Sequence, residues 1–144
     1  MTSIRTADPA LLAASAAFGG ACAFGSAVAV HHNVSGEPLG IRLPITVPCG
    51  LLIGWGAGVA APWPMPLAAL IAATTAGLSK ESRVPGIVCA GLGVACIVGT
   101  LIEPVTRRPP SWRRGVGAAI TINLATAAAL AAAGLRYASR KPGR

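Results

Sequence analysis

The chain has 144 residues, of which 53% are apolar and 11% are charged, and its mean hydropathy is +0.66. Because a soluble domain carries about 25% charged residues and charge is costly inside a bilayer, this composition excludes an ordinary soluble fold and predicts an all-α bundle of transmembrane helices. The net charge of +8 would suit nucleic acid in a soluble protein, but the basic residues lie between and after apolar runs, which favours anionic lipid headgroups and argues against nucleic-acid binding.

The first apolar segment, 10–30, is long enough to cross the bilayer, which takes about 20 helical residues. It follows Asp8 and Pro9, which can cap and open a helix. The small-residue triplet at 27–29 resembles a signal-peptidase site. We therefore predict a first membrane span here, with a cleaved signal sequence as the alternative.

The second apolar segment, 43–61, carries no charge and contains a tandem glycine pattern. Gly50, Gly54 and Gly58 are four residues apart, so on one helix they would form a continuous groove. Such a groove lets a neighbouring helix approach closely in lipid. We predict a helix-packing face at these glycines, used within the bundle or, as the alternative, by a second copy or a partner helix.

The third apolar segment, 66–82, is separated from the second by prolines at positions 62, 64 and 66. Proline removes a backbone donor and clashes with the preceding turn, so one continuous helix over 43–82 is excluded. A helical hairpin predicts five spans in total. If 43–82 is one re-entrant unit, or if the first segment is cleaved, the total is four.

The fourth and fifth apolar segments, 86–102 and 115–137, flank the basic stretch "IEPVTRRPPSWRRG", and a basic tail covers 138–144. Arginine and tryptophan at a helix boundary are typical of the lipid headgroup region. We predict that the following side chains anchor this loop to anionic headgroups: Arg107, Arg108, Trp112, Arg113 and Arg114. Docking of an acidic partner or a specific lipid is the alternative.

Two polar residues lie at or inside these apolar segments. Glu103 follows the fourth segment, and Asn123 is the deepest strongly polar side chain of the fifth. Ionisable groups near membrane segments are candidates for a pathway. The simpler interpretation is an interfacial ion pair for Glu103 with Arg107 and Arg108, and an interhelical hydrogen bond for Asn123.

The histidines and cysteines show no metal-ligand spacing. His31 and His32 are adjacent and are the only histidines, so we interpret them as interfacial side chains, with a pH sensor as the alternative. The four cysteines form no C-x-x-C pair and are predicted to be small buried side chains. They are Cys22, Cys49, Cys89 and Cys96. The sequence predicts no metal, no cofactor and no catalytic site.

These features predict a small multi-pass protein of the cell membrane, most simply the bacterial cytoplasmic membrane. No catalytic motif is present, and the four acidic residues give little material for a membrane enzyme. The first functional hypothesis is a structural or accessory component that associates with itself or with a larger membrane complex. The alternative is a subunit of a small transporter or channel that acts as an oligomer.

Overall fold

The computed structural model describes residues 8–77, 82–108 and 113–140. Within these ranges the backbone forms helices and no β-strand, so the predicted all-α class is confirmed for the described residues. In chain order the elements are α1 (Pro9–His32), a 3-10 turn (Pro38–Gly40), α2 (Val47–Ile53), α3 (Pro64–Thr75), α4 (Val84–Ile102) and α5 (Val116–Ala138).

Three of these helices are long and apolar enough to cross a membrane. α1 has 24 residues, α4 has 19 and α5 has 23, and all three have the hydropathy of a membrane span. They lie close to three of the predicted segments: 10–30, 86–102 and 115–137. The chain is therefore a membrane protein by the length and composition of these helices.

The ends of α1 are set by local sequence signals. The Asp8 carboxylate accepts the backbone N–H of Leu11 at 2.9 Å, and Pro9 occupies the first helical position. At the other end Asn33 adopts a left-handed conformation, φ 51°, and its N–H returns to carbonyls of the last turn. Both signals satisfy backbone groups that a helix end would otherwise leave unpaired.

The closest helix pair is α4 with α5, which run antiparallel. A methyl group added at Gly93 would lie 2.5 Å from the Ala127 carbonyl oxygen, and one added at Gly134 would lie 2.5 Å from the Gly86 carbonyl oxygen. No side chain fits into such gaps. Small residues let the two backbones touch, which is how helices associate tightly in lipid without a hydrophobic driving force.

The predicted second span, 43–61, is wrong as a single helix. α2 covers only seven residues, Val47–Ile53, which is about 10 Å at 1.5 Å per residue. It ends because Gly54 turns left-handed, φ 97°, a conformation that glycine adopts without steric cost. Residues 54–63 then follow a non-helical course before α3 begins.

The predicted third span, 66–82, is represented by α3, Pro64–Thr75, which has 12 residues. Proline is tolerated in a first helical turn because those N–H groups have no helical partner, so α3 can begin inside the proline-rich stretch. At its other end the Tyr137 hydroxyl donates to the Ala76 carbonyl at 2.9 Å. The remainder of this prediction extends over 78–81, outside the described residues.

The helix ends divide between two ends of the bundle. The start of α1 and the end of α5 meet through the ion pair of Asp8 with Arg140. At the opposite end the Nε2 atom of His32 donates to the Arg114 carbonyl at 2.9 Å, since a carbonyl can only accept. We call the end that contains Asp8 the proximal end and the end that contains His32 the distal end.

Candidate functional site

The broken connection between α2 and α3 lies inside the bundle rather than on its surface. Residues 56–61 are buried, and Val59 is only 1% exposed. A methyl group added at Gly25 of α1 would lie 2.6 Å from the Val59 carbonyl oxygen, so the connection touches the α1 backbone. Non-helical backbone at membrane depth is tolerated only where protein or a water-filled cavity surrounds it.

Backbone hydrogen bonds fold this connection into a compact loop. The Gly56 N–H donates to the Gly50 carbonyl at 2.9 Å, and the Trp63 N–H donates to the Leu51 carbonyl at 2.9 Å. Ala57 and Ala60 bond to each other in both directions, at 3.0 and 3.1 Å. These bonds supply partners to peptide groups that no regular helix satisfies.

The predicted glycine groove is wrong, since the three glycines share no helix face. Gly50 lies in α2, where an added methyl group would be 2.9 Å from the Gly56 carbonyl oxygen. Gly54 is the left-handed cap with open space beside it, and Gly58 packs in the connection against Val105. The physical reason is that Gly54 terminates the helix on which the groove depended.

A cavity of about 100 Å³ lies between the connection and α4. We call it the inner cavity. Its wall is mainly apolar, with one aromatic ring, one thiol, one hydroxyl and one carboxylate. Its lining residues are Pro38, Trp55, Gly56, Ala57, Ala60, Ala61, Pro62, Met65, Ala95, Cys96, Gly99, Thr100 and Glu103. Since one water takes about 30 Å³ of liquid volume, the cavity has room for a few waters or for part of a small solute.

A second, polar cavity of about 310 Å³ lies at the distal end, and we call it the vestibule. Its charged lining consists of two carboxylates and two guanidiniums. The full lining is Asn33, Val34, Ser35, Glu37, Arg42, Glu103, Pro104, Val105 and Arg108. Arg42 and Glu37 form an ion pair at 3.5 Å. The vestibule therefore offers both signs of charge within one opening.

Glu103 is the one described residue that lines both cavities. It is 7% exposed, and its Oε2 atom accepts the backbone N–H of Glu37 at 3.0 Å. Burial raises the pKa of Glu103; the N–H bond opposes that shift, and the negative charge of Glu37 adds to it. The sequence-based interpretation is an interfacial ion pair of Glu103 with Arg107 and Arg108. In the structure, the hydrogen bond of the Glu103 carboxylate runs instead to the first loop, at the backbone of Glu37.

Asn123 forms a buried polar contact behind the inner cavity. It is 1% exposed, and its Nδ2 atom donates to the Thr100 hydroxyl at 3.0 Å and to the Cys96 sulfur at 3.4 Å. Its Oδ1 atom has no hydrogen-bond partner among the described residues. The prediction that Asn123 bonds across helices is therefore confirmed, and its two partners are themselves lining residues of the inner cavity.

The predicted anchoring arginines lie at the distal end and are exposed. Arg107 donates through Nε to the Leu101 carbonyl at 3.2 Å, which folds it back over the end of α4. Arg108 lines the vestibule, and the backbone of Arg114 meets His32. Trp112 lies outside the described residues. Anchoring to anionic headgroups stays a prediction for all five.

The remaining candidates for chemistry are dispersed. All four cysteines are free thiols; Cys22, Cys89 and Cys96 are buried and Cys49 is exposed. Within the described ranges no three histidine, cysteine or acidic side chains come together as metal ligands would.

Sequence reasoning missed most of the lining of both cavities. Trp55, Thr100, Arg42 and Glu37 are not among the site residues that the sequence predicts. The available signal was the density of glycine and proline over 54–66, which indicates a broken helix in a membrane protein.

An apolar groove of about 730 Å³ lies on the outer surface of α4, and the last turns of α5 border it at Leu135 and Ala138. Its floor contains small residues spaced by four, Gly91, Ala95 and Gly99, with open space beside both glycines. Val94 and Val98 form part of its walls and are 50% and 52% exposed.

Comparison with known proteins adds no identity: no family model, no curated protein and no solved structure matches the chain.

Proposed function

We propose that this protein is a small membrane transport component in which a solute passes between the vestibule and the inner cavity at Glu103. The bilayer would be crossed four times: by α1, by α2 and α3 together as one broken span, by α4 and by α5. The single observation that carries the proposal is the non-helical stretch 54–63, buried over 56–61, beside a cavity that contains a carboxylate. Broken helices with irregular backbone near the bilayer centre are where membrane transporters build their solute sites.

The energetic cost of this arrangement supports a functional role. A charged residue inside a membrane protein is costly and is usually retained for a pathway or a binding site. Glu103 is 7% exposed and its one described partner is a neutral backbone N–H, so it is only partly compensated. A bundle that served packing alone would be more stable with an apolar side chain there.

The test is uptake into proteoliposomes from a mixture of amino acids, organic cations and organic anions, read out by mass spectrometry. We expect uptake of at least one class by the wild-type protein and its loss in Glu103→Gln. Glu37→Gln, at the more exposed carboxylate, is the matched control and should retain part of the uptake. Absence of uptake by well-folded wild-type protein in both orientations would contradict the proposal.

A second candidate function is the accessory role, in which the protein docks a transmembrane helix of another subunit. The α4 groove favours it, because small residues spaced by four with larger apolar walls accept a neighbouring helix in lipid. Gly91→Leu would fill the groove without touching the α4–α5 contact. Loss of a detergent-stable complex in this variant, with solute uptake absent throughout, would favour the accessory role over transport.

A further inference from the structure

We propose that the solute site binds a small zwitterion, with its ammonium group inward at Glu103 and its anionic group outward at Arg42 and Arg108. This inference rests on the proposed function and assigns a ligand class to it. It follows from how the four charged side chains of the vestibule are arranged by depth.

The most buried charge of the vestibule is negative, and both of its positive charges lie at the rim. Glu103 is 7% exposed and borders the inner cavity, whereas the side chain of Arg42 is 71% exposed. Arg108 is also an exposed lining residue of the vestibule. Glu37 lies between these levels, since its side chain is 33% exposed, and it pairs with Arg42 at 3.5 Å. A simple cation would meet two guanidiniums and this one paired carboxylate before it reached Glu103, and a simple anion would meet a carboxylate at the base. A ligand with both charges can place its cation at Glu103 and its anion at Arg42 and Arg108.

The inner cavity fits the cationic end of such a ligand. Trp55 and Met65 line it together with small apolar residues, and Glu103 lines both this cavity and the vestibule. The Trp55 indole N–H donates to the Gly36 carbonyl at 2.9 Å, so its polar atom is already used and the ring offers only an aromatic wall. An aromatic wall beside a carboxylate is the chemistry that receives alkylated ammonium groups.

The size of the two cavities limits the ligand. With about 100 Å³ in the inner cavity and about 310 Å³ in the vestibule, the site takes a compact group of a few heavy atoms, bearing a second charge a short distance away. Such chemistry comes from two sources: a free amino acid or betaine, or the headgroup of phosphatidylethanolamine at the distal surface. Both place an ammonium and an anion on one small unit.

The experiment compares three matched probes on purified protein by calorimetric titration. Trimethylglycine carries both charges, choline carries only the cation and pivalate carries only the anion. We expect trimethylglycine to bind, choline to bind more weakly and pivalate not to bind. Choline as tight as trimethylglycine would reassign the site to simple cations, and pivalate as tight would reassign it to anions; either result overturns the proposal.

Variants then separate the two levels of the site. Glu103→Gln should weaken trimethylglycine by about 30-fold or more, since truncating one partner of a buried charge pair is expensive. Glu103→Asp should recover part of this loss. Exposed rim charges contribute less, so Arg42→Gln with Arg108→Gln should cost about two- to fivefold. Arg113→Gln, an exposed arginine that lines neither cavity, is the matched control and should change nothing. Unchanged binding in Glu103→Gln overturns the assignment.

The lipid source is distinguished in nanodiscs. Trimethylglycine is titrated in phosphatidylglycerol alone and in phosphatidylglycerol with phosphatidylethanolamine. Competition by phosphatidylethanolamine identifies the headgroup as a ligand, and equal affinity identifies the free solute; both support the zwitterion site. If proteoliposomes take up only singly charged solutes, the zwitterion site is rejected while transport stands.

Discussion

Asp8 and Arg140 form an ion pair that joins the start of α1 to the end of α5. The same carboxylate accepts the N–H of Leu11 and so caps α1. Residues 132 positions apart therefore meet at the proximal end of the bundle, and the two helices run antiparallel. The four crossings proposed above agree with this contact, because an even number of crossings brings the start of α1 and the end of α5 to the same side of the membrane.

The ion pair predicts an acid-sensitive contribution to stability. Burial raises the pKa of Asp8, but the N–H of Leu11 and the Arg140 guanidinium outweigh it, so the pKa is lowered from 3.8. A lowered carboxyl pKa stabilises the fold above the unfolded value, and this contribution is lost as pH falls through the folded value. Asp8→Asn keeps the cap and should cost about 0.2–1 kcal/mol at pH 7. Thermal unfolding from pH 7 downwards should show the difference shrinking as the pH falls below 3.8; a difference that stays constant there would contradict it.

Glu103 is expected to behave in the opposite sense. Its pKa is raised, chiefly by burial, so the folded state binds a proton more readily than the unfolded state, and stability falls as pH rises through the raised value. Glu103→Gln should therefore stabilise the protein at pH 7 and should have little effect once the pH lies below 4.5, where the carboxyl is protonated in both states. The measurement is unfolding in detergent in both pH ranges, with Glu37→Gln as the control. A destabilised Glu103→Gln at pH 7 would show that the charge itself supports the fold.

The glycines of α4 give a matched pair of tests for helix packing. Gly93 faces α5 with a carbonyl 2.5 Å from an added methyl group, whereas Gly91 has open space. Gly93→Ala should destabilise the bundle by about 1–3 kcal/mol through overpacking. Gly91→Ala should be neutral or stabilising by about 0.4–1 kcal/mol, since it reduces the freedom of the unfolded chain. Equal effects of the two variants would show that the α4–α5 contact is looser than described.

The helices most accessible to sequence reasoning are those with one long apolar run and clear ends. α1 could be predicted because Asp8 and Pro9 mark its start and a long apolar run follows. α4 and α5 are likewise single apolar runs bounded by proline or glycine and charge. Length against bilayer thickness is sufficient for such segments.

The α2–α3 region could not be predicted because two interpretations of glycine compete there. On a helix, Gly50, Gly54 and Gly58 form a groove, but a left-handed Gly54 ends the helix instead. Which outcome occurs depends on whether the surrounding helices can enclose the irregular backbone. Here α1 does so, because Gly25 lets its backbone approach Val59 closely. That enclosure is a tertiary property, and so are the two cavities that it creates.

The contact of Asn123 with Thr100 predicts a measurable coupling between α4 and α5. The bond is 3.0 Å long and buried, and interhelical hydrogen bonds in membranes contribute about 0.6 kcal/mol on average and up to about 1.7 kcal/mol. A double-mutant cycle with Asn123→Ala and Thr100→Val should give a coupling in this range. The pair of Asn123→Ala with Thr121→Val is the control, because Thr121 bonds to its own helix at Gly117. A coupling near zero for the first pair would remove this contact from the stability of the bundle.

The proposed four crossings predict which positions share a side of the membrane. The distal end contains Ile41 and Arg113, and the proximal end contains Arg83 and Arg140. Single cysteines at these positions, in a Cys49→Ser background that removes the exposed native thiol, are labelled in intact cells with a membrane-impermeant maleimide. Ile41→Cys and Arg113→Cys should react alike, and Arg83→Cys and Arg140→Cys should react alike and opposite to the first pair. Five spans would instead group Ile41 with Arg83 and Arg140 and leave Arg113 alone, because α2 and α3 would each cross completely. The grouping of Ile41 therefore decides between one broken span and two whole ones.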